Sequence, residues 1–129
     1  MIEVIETCPN PKGLAAVSPS KEVCILACPD KKLGLVRVVH FDKGSKIQII
    51  NAHQSPISAI VLNHEGNLLA TASDKGTLVR LFETQTGEQL QELRRGSDHA
   101  EIYSLSFDLN STLLACTSDK GTIHIFALK

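Results

Sequence analysis

Apolar residues fall in short runs along this chain, with polar turn residues between them. The runs cover residues 14–17, 23–27, 35–39, 46–50, 57–62, 68–72, 77–82, 88–93, 102–107, 113–117 and 122–127. Clusters such as Asn63-His64-Glu65-Gly66 and Asp74-Lys75-Gly76 stand between them. Short runs rich in Val, Ile and Leu, bounded by Gly, Asn and Asp, predict strands. Helices would space apolar residues by three and four over longer stretches, and no stretch does so. Residues 2–6 read as one more strand, which brings the number to twelve. The expected fold class is all-β, in antiparallel sheets joined by short turns.

The chain also repeats itself. Ile57 to Thr77 aligns with Ile102 to Thr122 at a constant offset of 45 residues, and nine of the 21 positions are identical. They include Leu68-Leu69-Ala70 against Leu113-Leu114-Ala115, and Ser73-Asp74-Lys75-Gly76-Thr77 against Ser118-Asp119-Lys120-Gly121-Thr122. One residue then drops out, and Phe82 faces Phe126. A weaker copy precedes both, with Pro29-Asp30 and Gly34 standing where Ser-Asp-Lys-Gly stands later. A period of about 40–45 residues holding several short strands marks propeller blades. We expect three WD40-like four-stranded blades at about 7–50, 51–93 and 94–129, the third lacking its fourth strand, with strand 2–6 belonging to a neighbouring blade.

Propellers close with about 4–8 blades, so three blades leave strand edges open. Two completions follow. The chain is a piece of a longer protein, or it is a protomer whose first strand completes the last blade of the next. In the second case a head-to-tail homodimer closes a six-bladed ring.

Composition narrows the function. A net charge of −1 supplies no general field for nucleic acid or membrane, so any anion binding must come from local placement. No apolar run approaches the ~20 residues of a membrane-spanning helix. Cys24 and Cys28 are separated by three residues, but no second pair completes a zinc set. With Cys8 and Cys116 they read as reduced, buried, small hydrophobes, Cys24 and Cys116 inside apolar strands. That suits a cytoplasmic protein. His53, His64 and His99 fall on separate turns and suggest no metal. Ser104, Ser106 and Asp108 form no triad with any histidine. The chain reads as neither an enzyme nor a cofactor carrier.

The stretch Leu93-Arg94-Arg95-Gly96, between the two strong copies, carries the most chemistry. Side chains alternate along extended backbone, so two adjacent arginines on the turn between sheets point to different places. A guanidinium is always charged and matches phosphate oxygens in a bidentate fork. Ser73, Thr77, Ser118 and Thr122 add hydroxyls at the turn between a blade's second and third strands. Gly76 and Gly121 let backbone N–H groups approach a ligand, as in anion nests. Asp74 and Asp119 would repel phosphate, so they are expected to face away or brace the turn. Without the arginine pair, such turns are also ordinary hairpin chemistry.

The blocks from Ala70 to Phe82, Glu92-Leu93-Arg94-Arg95-Gly96, Ile102-Tyr103, and Ser118 to Phe126 together resemble the PROPPIN family of phosphoinositide-binding seven-bladed propellers, the WIPI proteins of animals. The resemblance runs from Asn10 to Phe126 and is nearest to the branch whose double-arginine motif begins with Leu. It implies blades four, five and six of seven. It also implies binding of phosphatidylinositol 3-phosphate and the 3,5-bisphosphate, with roles in autophagy and endolysosomal traffic as a peripheral membrane protein. Carried over by motif, one pocket takes His53, Thr71, Ser73, Gly76, Thr77, Arg80 and Arg94. The other takes Arg95, Gly96, His99, Ser118, Thr122 and His124. In full-length members the partners are autophagy proteins. The alternative is a protein-interaction WD-repeat scaffold fragment without a lipid site.

Overall fold

The computed structural model describes residues 3–20 and 22–129. Strands β1 (Ala16–Val17), β2 (Ile25–Pro29), β3 (Leu35–His40) and β4 (Lys46–Asn51) form one sheet. Strands β5 (Ile57–Leu62), β6 (Leu68–Ser73), β7 (Leu78–Glu83) and β8 (Gln89–Arg94) form the second. Strands β9 (Ile102–Phe107), β10 (Leu113–Ser118) and β11 (Ile123–Ala127) form the third. Each strand pairs antiparallel with its sequence neighbour, as in propeller blades. A 3-10 turn, Phe41–Lys43, leads from β3 to β4. No helix among the described residues is long and apolar enough to cross a membrane.

Two expectations change. Residues 3–6 form no strand, and Ile2 lies outside the described residues. Val4 is exposed, and Glu6 reaches Lys31 across 3.7 Å, so the segment contacts the first sheet without pairing with it. Among the described residues eleven strands result in place of twelve, with three of them in the third sheet. The strand on which the ring expectation rested is thus not formed over residues 3–6. The second change is at β2, which starts at Ile25 and not at Val23. The Ser18 hydroxyl donates to the Val23 carbonyl (2.7 Å) and accepts from the Ile25 N–H (3.2 Å), which holds Val23 and Cys24 in the turn. Cys24 is therefore exposed and Cys8 half-buried, while Cys28 and Cys116 are buried; all four are free.

Alternation along the second sheet divides it cleanly. Leu69 and Phe82 face the first sheet and pack with Val36, Val38 and Ile50. Ala70, Ala72, Val79 and Leu81 face the third sheet and pack with Ile102, Leu105, Leu114 and Cys116. Leu69 and Leu114 are the same position in two repeats, and both are fully buried. Removing a buried Leu side chain costs about 2–5 kcal/mol, so each seam between sheets depends on its own copy.

In the first two sheets the turn after the second strand locks the next connection. Gly34 and Gly76 adopt φ of 81° and 69°, a region open mainly to glycine. A Cβ at Gly34 would lie 1.9 Å from the His53 carbonyl oxygen, and one at Gly76 would lie 1.8 Å from that of Ala100. The glycine of the Ser-Asp-Lys-Gly turn thus makes room for the neighbouring backbone. That revises the expectation that Gly76 lets a ligand approach.

Candidate anion site between the first two sheets

Four residues of the first predicted set, His53, Ser73, Thr77 and Arg80, meet at the seam between the first and second sheets. A cavity of about 260 Å³ there is lined by His53, Gln54, Ser55, Ser73, Lys75, Thr77, Leu78 and Arg80. No carboxylate lines it. Ser73 ends β6 and Thr77 and Leu78 open β7, so the turn chemistry sits at its mouth. Thr71 pairs across the strands with Arg80, which places both on the face toward the first sheet. His53 is buried, with Nε2 2.9 Å from the Thr71 hydroxyl. Burial first, and then the Arg80 guanidinium, push His53 down to about 4. The ring is therefore neutral at neutral pH.

Arg80 is held at both ends. Its Nε donates to Glu92 at 2.9 Å, and its Nη1 donates to the Ala52 carbonyl at 2.7 Å. Arg94 closes β8, pairs with Leu78 and shares that face with Arg80 and Glu92. It is exposed, does not line the cavity, and has no ion pair or hydrogen bond from its side chain among the described residues. It stands beside Leu78, which lines the cavity, as an uncommitted charge. Lys75, Gln54, Ser55 and Leu78 were not singled out from the sequence. Lys75 stands inside the repeated turn, so its charge beside Ser73 was the available signal.

The second predicted set is arranged differently. Arg95 sits on the opposite face from Arg94, toward the third sheet. Its Nε donates to the Gly76 carbonyl at 2.5 Å, and its other guanidinium nitrogen donates to the Asp98 carbonyl. Its charge also reaches Cys116, where it opposes the upward push of burial on the thiol. The Ser118 hydroxyl accepts the Lys120 N–H at 3.3 Å. His124 lies 6.4 Å from Phe126, ring to ring, and its buried Nδ1 has no partner. His99 and Thr122 are exposed. None of the cavities described gathers Arg95, Gly96, His99, Ser118, Thr122 and His124. Asp119 braces its turn by accepting the Glu101 N–H at 3.0 Å. Asp108 does the same for Thr112 and Leu113, and these bonds hold its carboxyl below the usual range.

The PROPPIN family model matches residues 1–129. Autophagy-related protein 18e of Arabidopsis thaliana is 46% identical over 126 residues, covering 98% of this chain and 33% of the relative. Autophagy-related protein 18 of Mycosarcoma maydis is 42% identical over 149 residues, covering 99% of this chain and 33% of the relative. The Hsv2 structure of Kluyveromyces lactis superposes with a TM-score of 0.78 at 30% identity, over 89% of this chain and 36% of that one. A complex described as KlAtg21 with the coiled-coil of AgAtg16 gives 0.75 at 33%, over 88% of this chain and 39% of that one. The chain spans about a third of the length of the relatives it matches.

Proposed function

This chain is a member of the PROPPIN family, and from that premise we propose that the cavity of the first seam binds the phosphate of a 3-phosphorylated inositol lipid. The reading is supported above all by the convergence of Ser73, Lys75, Thr77 and Arg80 on one cavity that no carboxylate lines. Lys75 meets the phosphate, and Ser73 and Thr77 donate through their hydroxyls. Arg94 swings over the rim, since nothing holds it elsewhere. Arg80 stays paired with Glu92 and positions the Ala52 carbonyl and the linker that carries His53.

The Arg95 set forms the second half of the proposal. There Arg95 must first leave the carbonyls of Gly76 and Asp98. The second site therefore fills at higher ligand concentration than the first. Phosphatidylinositol 3-phosphate and the 3,5-bisphosphate are the lipids concerned, and the setting is peripheral attachment to autophagic and endolysosomal membranes from the cytoplasm. Autophagy proteins are the partners proposed, by analogy with the complex of Atg21 and Atg16.

Flotation with phosphatidylcholine vesicles, with and without phosphatidylinositol 3-phosphate, tests the reading. Equal flotation on vesicles carrying phosphatidylserine in its place rejects it and leaves a protein-interaction scaffold. In the alternative of a head-to-tail homodimer, the exposed Tyr103, Ile123 and Ile125 of the third sheet would form the contact face. Light scattering that gives a single-chain mass for folded protein rejects it.

A further inference from the structure

The opposite end of the sheets holds a second basic cavity. The first-seam cavity lies where second strands turn into third strands. The turns from third to fourth strands lie at the other end, because neighbouring strands are antiparallel. There a cavity of about 210 Å³ is lined by His40, Lys43, Lys46, Gln85 and Thr86. We propose that it binds a phosphate-class oxyanion.

Four observations carry this. First, all five lining residues are cationic or polar, and no carboxylate is among them. Asp42, Glu83 and Glu88 lie on the same two turns but outside the lining. Second, neither Lys43 nor Lys46 forms an ion pair among the described residues, whereas Lys12, Lys31, Arg37 and Arg80 all do. Third, the backbone is shaped to bring the two lysines together. Gly44 and Ser45 between them both take left-handed φ, 70° and 62°. For Ser45 that conformation is strained and needs surrounding structure to hold it.

Fourth, the wall is rigid and one buried nitrogen in it lacks a partner. His40 is 2% exposed and pairs across the strands with Lys46, so the two share a face. Its Nε2 lies 3.0 Å from the Thr84 carbonyl, which only accepts, so that nitrogen carries a proton. Thr84 in turn donates through its hydroxyl to Gly66 at 2.7 Å. The Nδ1 of His40 is buried without any partner. Thr86 accepts the Glu88 N–H at 3.2 Å, which leaves its own O–H free to donate. Two ammonium groups, an amide and a hydroxyl thus surround the space.

The binding chemistry is the same for free phosphate and for an inositol phosphate headgroup. We would titrate the ¹⁵N-labelled 129-residue chain with inorganic phosphate, and separately with soluble inositol 1,3-bisphosphate, at constant ionic strength. Amide shifts of Gln85 and Thr86 report this cavity, and those of Ser73 and Lys75 report the first seam, so failure at one end is distinct from failure at the other. The expected result is saturable shifts at Gln85 and Thr86. A response to both ligands marks a general phosphate site; a response to the bisphosphate alone marks a headgroup site. The double change K43Q/K46Q should weaken binding here by about tenfold or more, leave the Ser73 and Lys75 response intact, and be rescued by K43R/K46R. Shifts that never saturate, or that persist unchanged in a well-dispersed K43Q/K46Q spectrum, overturn the proposal.

Discussion

The two seams of this molecule are built from the same turn and leave different spaces. In the first, β4 is followed by Ala52, whose N–H donates to Gly34 at 3.0 Å. In the second, β8 is followed by Arg95, whose N–H donates to Thr77 at 2.9 Å. The positions are equivalent, but one carries a methyl group and the other a guanidinium. His53 and Arg80 in the first seam correspond to Gly96 and His124 in the second. The small Ala52 and the tethered Arg80 leave an open cavity. The long Arg95 folds back onto backbone carbonyls and occupies its own seam. Whether a repeated turn leaves an open cavity thus depends on the strand-exit residue as much as on the turn.

The repeated glycine breaks the comparison most sharply. Gly76→Ala places a Cβ 1.8 Å from a backbone oxygen and forces a left-handed conformation on alanine. Overpacking costs about 1–3 kcal/mol and the left-handed conformation about 1–2 kcal/mol. Their sum, about 2–5 kcal/mol, should appear as a lowered midpoint in urea unfolding. The identical change at Gly121 meets nothing within 4 Å. It should cost only the conformational part, about 1 kcal/mol. Equal losses at the two glycines would remove the lock assigned to Gly76.

His53 offers the next largest effect. Its folded value of about 4 lies below its ordinary value of 6.5. The unfolded chain therefore binds this proton first. The stability that His53 preserves is complete above about pH 6.5 and is lost as pH falls toward 4. The total loss is on the order of 3 kcal/mol. His53→Gln should flatten unfolding free energy across that window. A phosphate in the cavity favours the imidazolium, so lipid affinity should rise as pH falls toward 4. His124, assigned from the sequence to the second pocket, lies outside the cavity.

Arg94→Ala comes next, with an expected loss of about 1.5–3 kcal/mol in binding to 3-phosphoinositide vesicles, the scale of a hydrogen bond to a charged group. Arg95→Ala should lose less at low ligand, because its bonds to Gly76 and Asp98 already satisfy it. The double change should abolish flotation if the two sites act by avidity. Comparable losses from the two single changes would show that Arg95 is as free in solution as Arg94.

Much of the strand pattern was legible because alternation and turn chemistry are local properties. The repeat located the sheets, and the alternation rule put Arg94 and Arg95 on opposite faces. What the residues alone did not reveal depends on contacts between distant segments. Arg95 reads as a free cation until Asp98 and Gly76 are seen beside it. Gly76 reads as a ligand-facing glycine until Ala100 is placed against it. Val23 reads as strand until the Ser18 hydroxyl claims its carbonyl. Lys43 and Lys46 read as solvated turn residues, because nothing local links them to Gln85 and Thr86 in the next blade.

The central claim is that the first seam is the open anion site and that the second opens only when Arg95 lets go. A titration with soluble inositol 1,3-bisphosphate, followed by amide shifts at both copies of the turn, tests it directly. The account predicts saturable movement of Ser73, Lys75 and Thr77 at lower ligand concentration than Ser118, Lys120 and Thr122. Movement of the second group first, or of neither, would contradict it.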